Sequence, residues 1–190
     1  MNRCHWVNLH NPLYVKYHDE EWGVPSYEDS HLFEMLLLES FQAGLSWECI
    51  LNKREAFRRA YDSFDAFKIA SYDSFKVEEL MKNTGIVRNR LKIEASIQNA
   101  KVFLEIQKEF GSFAKYNWSF TDGKVFRNDT GKVISSNDLS DSISRDLQLR
   151  GMKFVGTVII YSYLQAIGVI SDHEACCDFY KGGNHVKVIS

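Results

Sequence analysis

Apolar side chains recur at three- and four-residue intervals through most of this chain, and runs of strict alternation are scarce. That period lines one face of a helix rather than one face of a strand, so the expected fold is all-α. Leu32, Phe33, Leu36 and Leu37 stripe a helix expected from about Asp29 to Ala43, which Gly44 ends. Ser46 caps a second, Trp47 to Tyr61, whose basic end (Lys53, Arg54, Arg58, Arg59) suits the negative pole of its dipole. A short helix is expected near Asp65–Ala70 and another from Asp73 to Lys82, broken by Asn83-Thr84-Gly85. A long helix follows from Arg88 or Asn89 to Phe110, closed by Gly111. Asp141 to Leu149 and Phe154 to Ile167 complete the set. The first 25 residues, with Pro12, Gly23 and Pro25, read as irregular structure with a short helix at best, and residues 121–138 as a loose hairpin or ordered loop.

With 190 residues, 45% apolar, and Gly 11 plus Pro 2, the chain excludes disordered and collagen-like classes and suits a single domain spanning 1–190. Its longest apolar stretch, Phe154 to Ile170, is interrupted by polar residues and is shorter than the roughly 20 residues of a spanning helix, so no membrane association is expected. The first residues lack the apolar run of a signal peptide, which makes a cytoplasmic, reducing compartment the expectation. The formal net charge of −2 gives no whole-molecule attraction for nucleic acid. Locally, however, Lys82, Arg88, Arg90 and Lys92 follow one another with no carboxylate between them.

Of the four cysteines, adjacent Cys176 and Cys177 cannot bridge each other without heavy strain, which leaves metal ligation or core packing. In Asp172-His173-Glu174-Ala175-Cys176-Cys177, His173 and Cys177 lie four apart, so a helical turn would stack their side chains on one face. Cys4 and His18 can supply two further ligands of a tetrahedral, closed zinc site that ties the chain ends together. Buried cysteine with ordinary histidine is the alternative, and Cys176 competes with Cys177 as a ligand.

Two other constellations carry chemistry. Gly85 sits in a tight turn between two expected helices at about 73–109, with the basic cluster at the joint, so its backbone amides suit a DNA phosphate. An ordinary packing corner between two helices explains the same residues. Near the N-terminus, Trp6, Tyr14, Tyr17, Trp22 and Trp47 crowd around Glu39, which falls among apolar neighbours. Rings that stack and a carboxylate in a dry setting suit a flat, positively charged heterocycle. The competing reading makes the rings core and pairs Glu39 with an Arg or Lys.

Several ordered blocks then resemble the 3-methyladenine DNA glycosylase I family: Arg3-Cys4-x-Trp6-Val7, Tyr17-His18-Asp19-x-Glu21-Trp22-Gly23-Val24-Pro25, Leu38-Glu39, Gln42-Ala43-Gly44-Leu45-Ser46-Trp47, Gly85-Ile86-x-Arg88, Lys153-Phe154-Val155-Gly156-Thr157 and Asp172-His173-x-x-x-Cys177. The resemblance runs end to end. It implies the fold of the helix-hairpin-helix glycosylases and a cytoplasmic, monomeric base-excision-repair enzyme that takes 3-methyladenine out of double-stranded alkylated DNA, releases it as the free base and does not cut the strand. It further implies a structural Zn2+ on Cys4, His18, His173 and Cys177. Tyr17, Glu39 and Trp47 are implied to contact the extruded base, with Trp6, Tyr14, Trp22 and Ser162 in or near its pocket. Gly44 and Leu45 are implied to approach the gap left in the duplex, while Gly85, Arg88 and Arg90 fall on the DNA side. Phe41 and His5 depart from the family pattern near this expected site. A zinc-stabilised DNA-binding module without chemistry would need no Glu39, and a metallohydrolase would need an open position on the metal.

Overall fold

The computed structural model describes residues 1–128 and 134–180. Nine α-helices are found among them: α1 Pro12–Glu20, α2 Asp29–Gln42, α3 Trp47–Ala60, α4 Ala66–Ala70, α5 Ser74–Lys82, α6 Arg90–Phe110, α7 Phe113–Ser119, α8 Asp138–Leu149 and α9 Thr157–Ala166. None is long and apolar enough to cross a membrane. Helix α2 is the centre of the molecule. Every residue from Leu32 to Phe41 is buried, the mark of a helix covered all round, and α3, α6, α7 and α9 pack on it.

The periodic helices lie where the apolar spacing puts them, and the differences have local causes. Pro12 opens a helix rather than interrupting the segment: it stands at the first helical position, where no amide partner is lost, and Asn11 accepts the Leu13 N–H as cap. Helix α7 was not legible as periodicity because it is short. Ser112 caps it, and Asp29 at the head of α2 accepts the Phe113 and Ala114 N–H groups at 2.8 Å each. Helix α8 starts earlier than expected, at a capping box of Asn137 and Ser140. Helix α9 starts three residues later, because Phe154 has φ +54°, in the left-handed region that ends any helix there.

Within 121–138, read as a loose hairpin or ordered loop, β1 Phe126–Arg127 forms a two-residue parallel pair with β2 Ile170–Ser171, which makes the fold mostly helical rather than strictly all-α. Its partner comes from beyond α9, a pairing no local turn signal announces; residues 129–133 of that expected loop lie outside the described residues. After β2 the chain returns to its beginning. Asn2 N–H donates to the Asp178 carboxylate and Asp178 N–H to the Asn2 carbonyl, both at 2.9 Å, so the N- and C-terminal segments lie side by side.

Candidate active site

Helices α1, α2, α3 and α9 and the two joined terminal segments enclose a cavity of about 520 Å³, within the usual range for a small-molecule site. Trp6, Tyr14, Tyr17, Trp22, Glu39, Trp47 and Ser162, all singled out in the sequence, line it. Tyr17 and Trp47 face each other with ring centroids 5.2 Å apart, and Trp6 packs on Tyr14 at 5.4 Å and edge-on to Trp22 at 4.8 Å. Gln42, Tyr161, Gln165 and Asp172 also line the cavity and were not among the expected residues. Tyr161 and Gln165 both donate to Asp172, at 2.9 and 2.6 Å, a contact made only because α9 folds back beside β2.

Glu39 is 4% exposed, yet no hydrogen bond reaches its carboxyl from any described residue. The Arg or Lys that a core reading requires is absent among the described residues. Burial alone pushes its pKa up to about 8.

Behind the rings, Cys4, His18, His173 and Cys177 bring one donor atom each to within 4.8 Å of the others. Cys177 Sγ lies 3.5 Å from His18 Nε2 and 3.6 Å from His173 Nδ1, and Cys4 Sγ lies 3.6 Å from His173 Nδ1. A tetrahedral zinc with ordinary bond lengths has sulfur–nitrogen edges of about 3.6 Å, so this donor set can hold a metal ion without rearrangement. Burial raises the Cys4 thiol to about 12, so a cation is what would make it a thiolate. His18 Nδ1 is hydrogen-bonded at 2.8 Å to Asp19, which Arg3 holds in turn, and this chain orients the ring. The four residues meet as expected, but His173 and Cys177 do so on a turn closed by Cys177 N–H to the Glu174 carbonyl, not on a helix. The cluster backs the cavity directly: His173 lines it, and its ring packs edge-on to Trp22 at 4.6 Å.

Gly44 and Leu45 are exposed on the loop between Gln42 and Trp47, two cavity residues. Gly44 has φ +80°, which lets α2 end in so tight a turn. Lys92 is not a surface cation here. It is buried and donates to the Phe41 carbonyl at 2.9 Å and the Ala43 carbonyl at 2.5 Å, capping the C-terminus of α2 beneath that loop. At the turn between α5 and α6, a Cβ on Gly85 would come within 3.0 Å of Ala56 Cβ, and the Gly85 N–H donates to Asn83 Oδ1, so this amide is not open to a phosphate. Arg88 is exposed, while Arg90 pairs with Glu78 at 2.6 Å. Lys53 of α3 adds a cation there that the local sequence did not announce, its Nζ lying 3.4 Å from the Thr84 and Gly85 carbonyls. Phe41 and His5 do not shape the cavity. Phe41 points into the core against Phe57, and His5 faces solvent beside Glu174.

A family model described as methyladenine glycosylase matches residues 6–181. The chain belongs to this family. Among curated relatives, DNA-3-methyladenine glycosylase 1 of Escherichia coli K12 is 43% identical over 185 residues, 96% of this chain and 98% of that one. A crystal structure of 3-methyladenine DNA glycosylase I is 44% identical and covers 94% of this chain and 100% of its own, with a TM-score of 0.90. A variant of 3-methyladenine DNA glycosylase I solved in complex with 3-methyladenine is 36% identical, covering 94% of this chain and 97% of that one, with a TM-score of 0.88.

Proposed function

We propose that this protein is a DNA repair enzyme that extrudes 3-methyladenine from double-stranded alkylated DNA and hydrolyses its N-glycosidic bond, releasing the free base. The single observation that carries the reading is Glu39, buried in an aromatic cavity with no partner among the described residues. A DNA-binding module without chemistry has no use for such a group.

The physics is that of the leaving group. A 3-methylated adenine is cationic in its nucleotide, so when the bond to the sugar breaks, its electron pair goes to the base and the base departs neutral. Strong acid catalysis is unnecessary. Unstacking the lesion costs a few kcal/mol, and the pocket must offset that cost and shield the charge developing on the sugar. With a pKa of about 8, Glu39 is mostly protonated at neutral pH. A fixed positive charge within about 4–6 Å lowers such a pKa by roughly 1–3, so a cationic base ionises the carboxyl that receives it, whereas neutral adenine does not. Tyr17 and Trp47 hold the ring, and Trp6, Tyr14, Trp22 and Ser162 form the remaining wall. Because the base departs neutral and water completes the hydrolysis, the reaction needs no Schiff base, and the enzyme is read as monofunctional, leaving the strand uncut.

On the DNA side, Gly44 and Leu45 approach the gap in the duplex, and the α5–α6 hairpin meets the backbone through Arg88 and Arg90, with Gly85 serving the tight packing of the turn rather than a phosphate. Cys4, His18, His173 and Cys177 hold a structural Zn2+. Four protein ligands leave no open position, so the metal supplies a cross-link between the chain ends and not a water nucleophile.

Free bases released from methylated DNA test the proposal. Wild-type protein should release 3-methyladenine, and Glu39→Ala should release it about 100-fold more slowly or worse while retaining DNA association. A folded wild-type protein that releases no base would end the enzyme reading.

A further inference from the structure

A second group of metal-binding side chains lies on the outside of the Cys4–His18–His173–Cys177 cluster. His5 Nδ1 sits 2.5 Å from Glu174 Oε2, and Cys176 Sγ lies 3.9 Å from His5 Nδ1 and 3.7 Å from Glu174 Oε2. All three donor atoms fall within 4.8 Å of one another. None belongs to the ligand set of the inner cluster.

The arrangement follows from chain connectivity. Each member of the outer group is the immediate neighbour of an inner ligand: His5 follows Cys4, Glu174 follows His173, and Cys176 precedes Cys177. Any ion that fixes the inner four therefore fixes the backbone of the outer three. The two groups are also laced together, since His5 N–H donates to Glu174 Oε2 at 2.9 Å and Glu174 N–H donates to Cys4 Sγ at 3.4 Å.

We propose that His5, Glu174 and Cys176 form a second, solvent-facing site for a borderline divalent cation of the zinc class. One imidazole, one carboxylate and one thiol match that ion's preference for mixed nitrogen, oxygen and sulfur donors, and three protein ligands leave a fourth position to solvent. The ion replaces the His5–Glu174 hydrogen bond. The His5 side chain, 84% exposed, is free to swing outward and widen that contact to a coordination edge. Because Glu174 also lines the cavity, the ion would sit at the mouth of the base site.

The proposal rests on the reading of the inner cluster as a metal site, and a titration separates the two. Metal-stripped full-length protein is titrated with Zn2+ alone, and bound metal is counted by native mass spectrometry in wild type, His5→Ala and Cys176→Ser. Both variants alter exposed side chains and keep the fold. Wild type should take two equivalents, the second more weakly, and each variant should take one. One equivalent in all three proteins overturns the outer site and leaves the inner one standing. One equivalent in wild type and none in Cys176→Ser overturns it too, and makes Cys176 an inner ligand. No bound metal in wild type overturns both readings.

Discussion

Helix α2 carries two buried carboxylates, Glu34 and Glu39, and they meet opposite surroundings. Five residues turn a helix by about 140°, so the two point to different sides of it. On the Glu34 side, Arg54 donates to Glu34 at 2.7 Å and to Glu21 at 2.6 and 2.7 Å, Arg58 donates to Glu34 at 2.8 Å, and His31 meets Glu21 at 2.8 Å. Burial works to raise the Glu21 pKa, but the hydrogen bonds of His31 and Arg54 outweigh it and hold it at about 2. On the Glu39 side no described residue brings a cation, and burial takes the pKa the other way, to about 8. A buried carboxyl given its counter-ions stays ionised; one denied them is driven toward its neutral form.

Each side also has its own support, the Arg54 network for one and the sulfur–imidazole cluster behind the rings for the other. Removing a support measures how far the two sides are independent. The largest effect is expected from Cys4→Ser, which should release the metal and lower stability by roughly 5 kcal/mol or more, read as a fall in Tm together with zinc content. Full stoichiometric zinc in that variant would refute the ligand set. Arg54→Ala should cost about 3 kcal/mol, because it removes the cation that Glu21 and Glu34 share and leaves them only His31 and Arg58, while base release per folded molecule stays near wild type. If release falls as far as in Glu39→Ala, the two sides of α2 are coupled and the contrast fails.

Glu39→Gln sharpens the comparison through pH. The folded state raises this carboxyl from its ordinary value near 4.5 to about 8, so its contribution to stability is intact below pH 4.5 and is lost as pH rises through 8. The amide variant should therefore unfold later than wild type at pH 8, by a few kcal/mol, with the gap closing below pH 4.5. Glu21 has the opposite sign: its stabilisation is present above 4.5 and disappears as pH falls through about 2. Denaturant melts across this range would show the two carboxyls pulling in contrary directions, and a Glu39→Gln curve parallel to wild type would remove the buried charge from the account. The smallest expected effect lies at the surface. Arg88→Ala should weaken DNA association across sequences and reduce its salt slope by about 1, the signature of one lost phosphate contact. An unchanged slope would take Arg88 off the interface.

Much of this was legible in the sequence wherever the signal is local. The α2, α3 and α6 helices follow from apolar spacing, and Ser46, Asp73 and Gly111 mark ends where caps are found. Helix α7 was not, because its seven residues show no period, and the start of α9 is set by one left-handed residue, Phe154. The basic run from Lys82 to Lys92 reads as one surface patch along the chain. In space Lys92 turns inward to the α2 carbonyls, Arg90 is shared with Glu78, and Lys53 arrives from another helix.

What the chain determined by itself was which residues become helical and which side chains are suited to metal, base and phosphate, because propensity, period and ligand chemistry belong to each residue and its near neighbours. Only the tertiary structure decided that Glu34 would find Arg54 while Glu39 would find no cation among the described residues, and that Cys4 and Cys177 would share one cluster. Pairing depends on which distant segments are brought within a few ångströms, and in a close-packed interior that choice is made by the whole core at once.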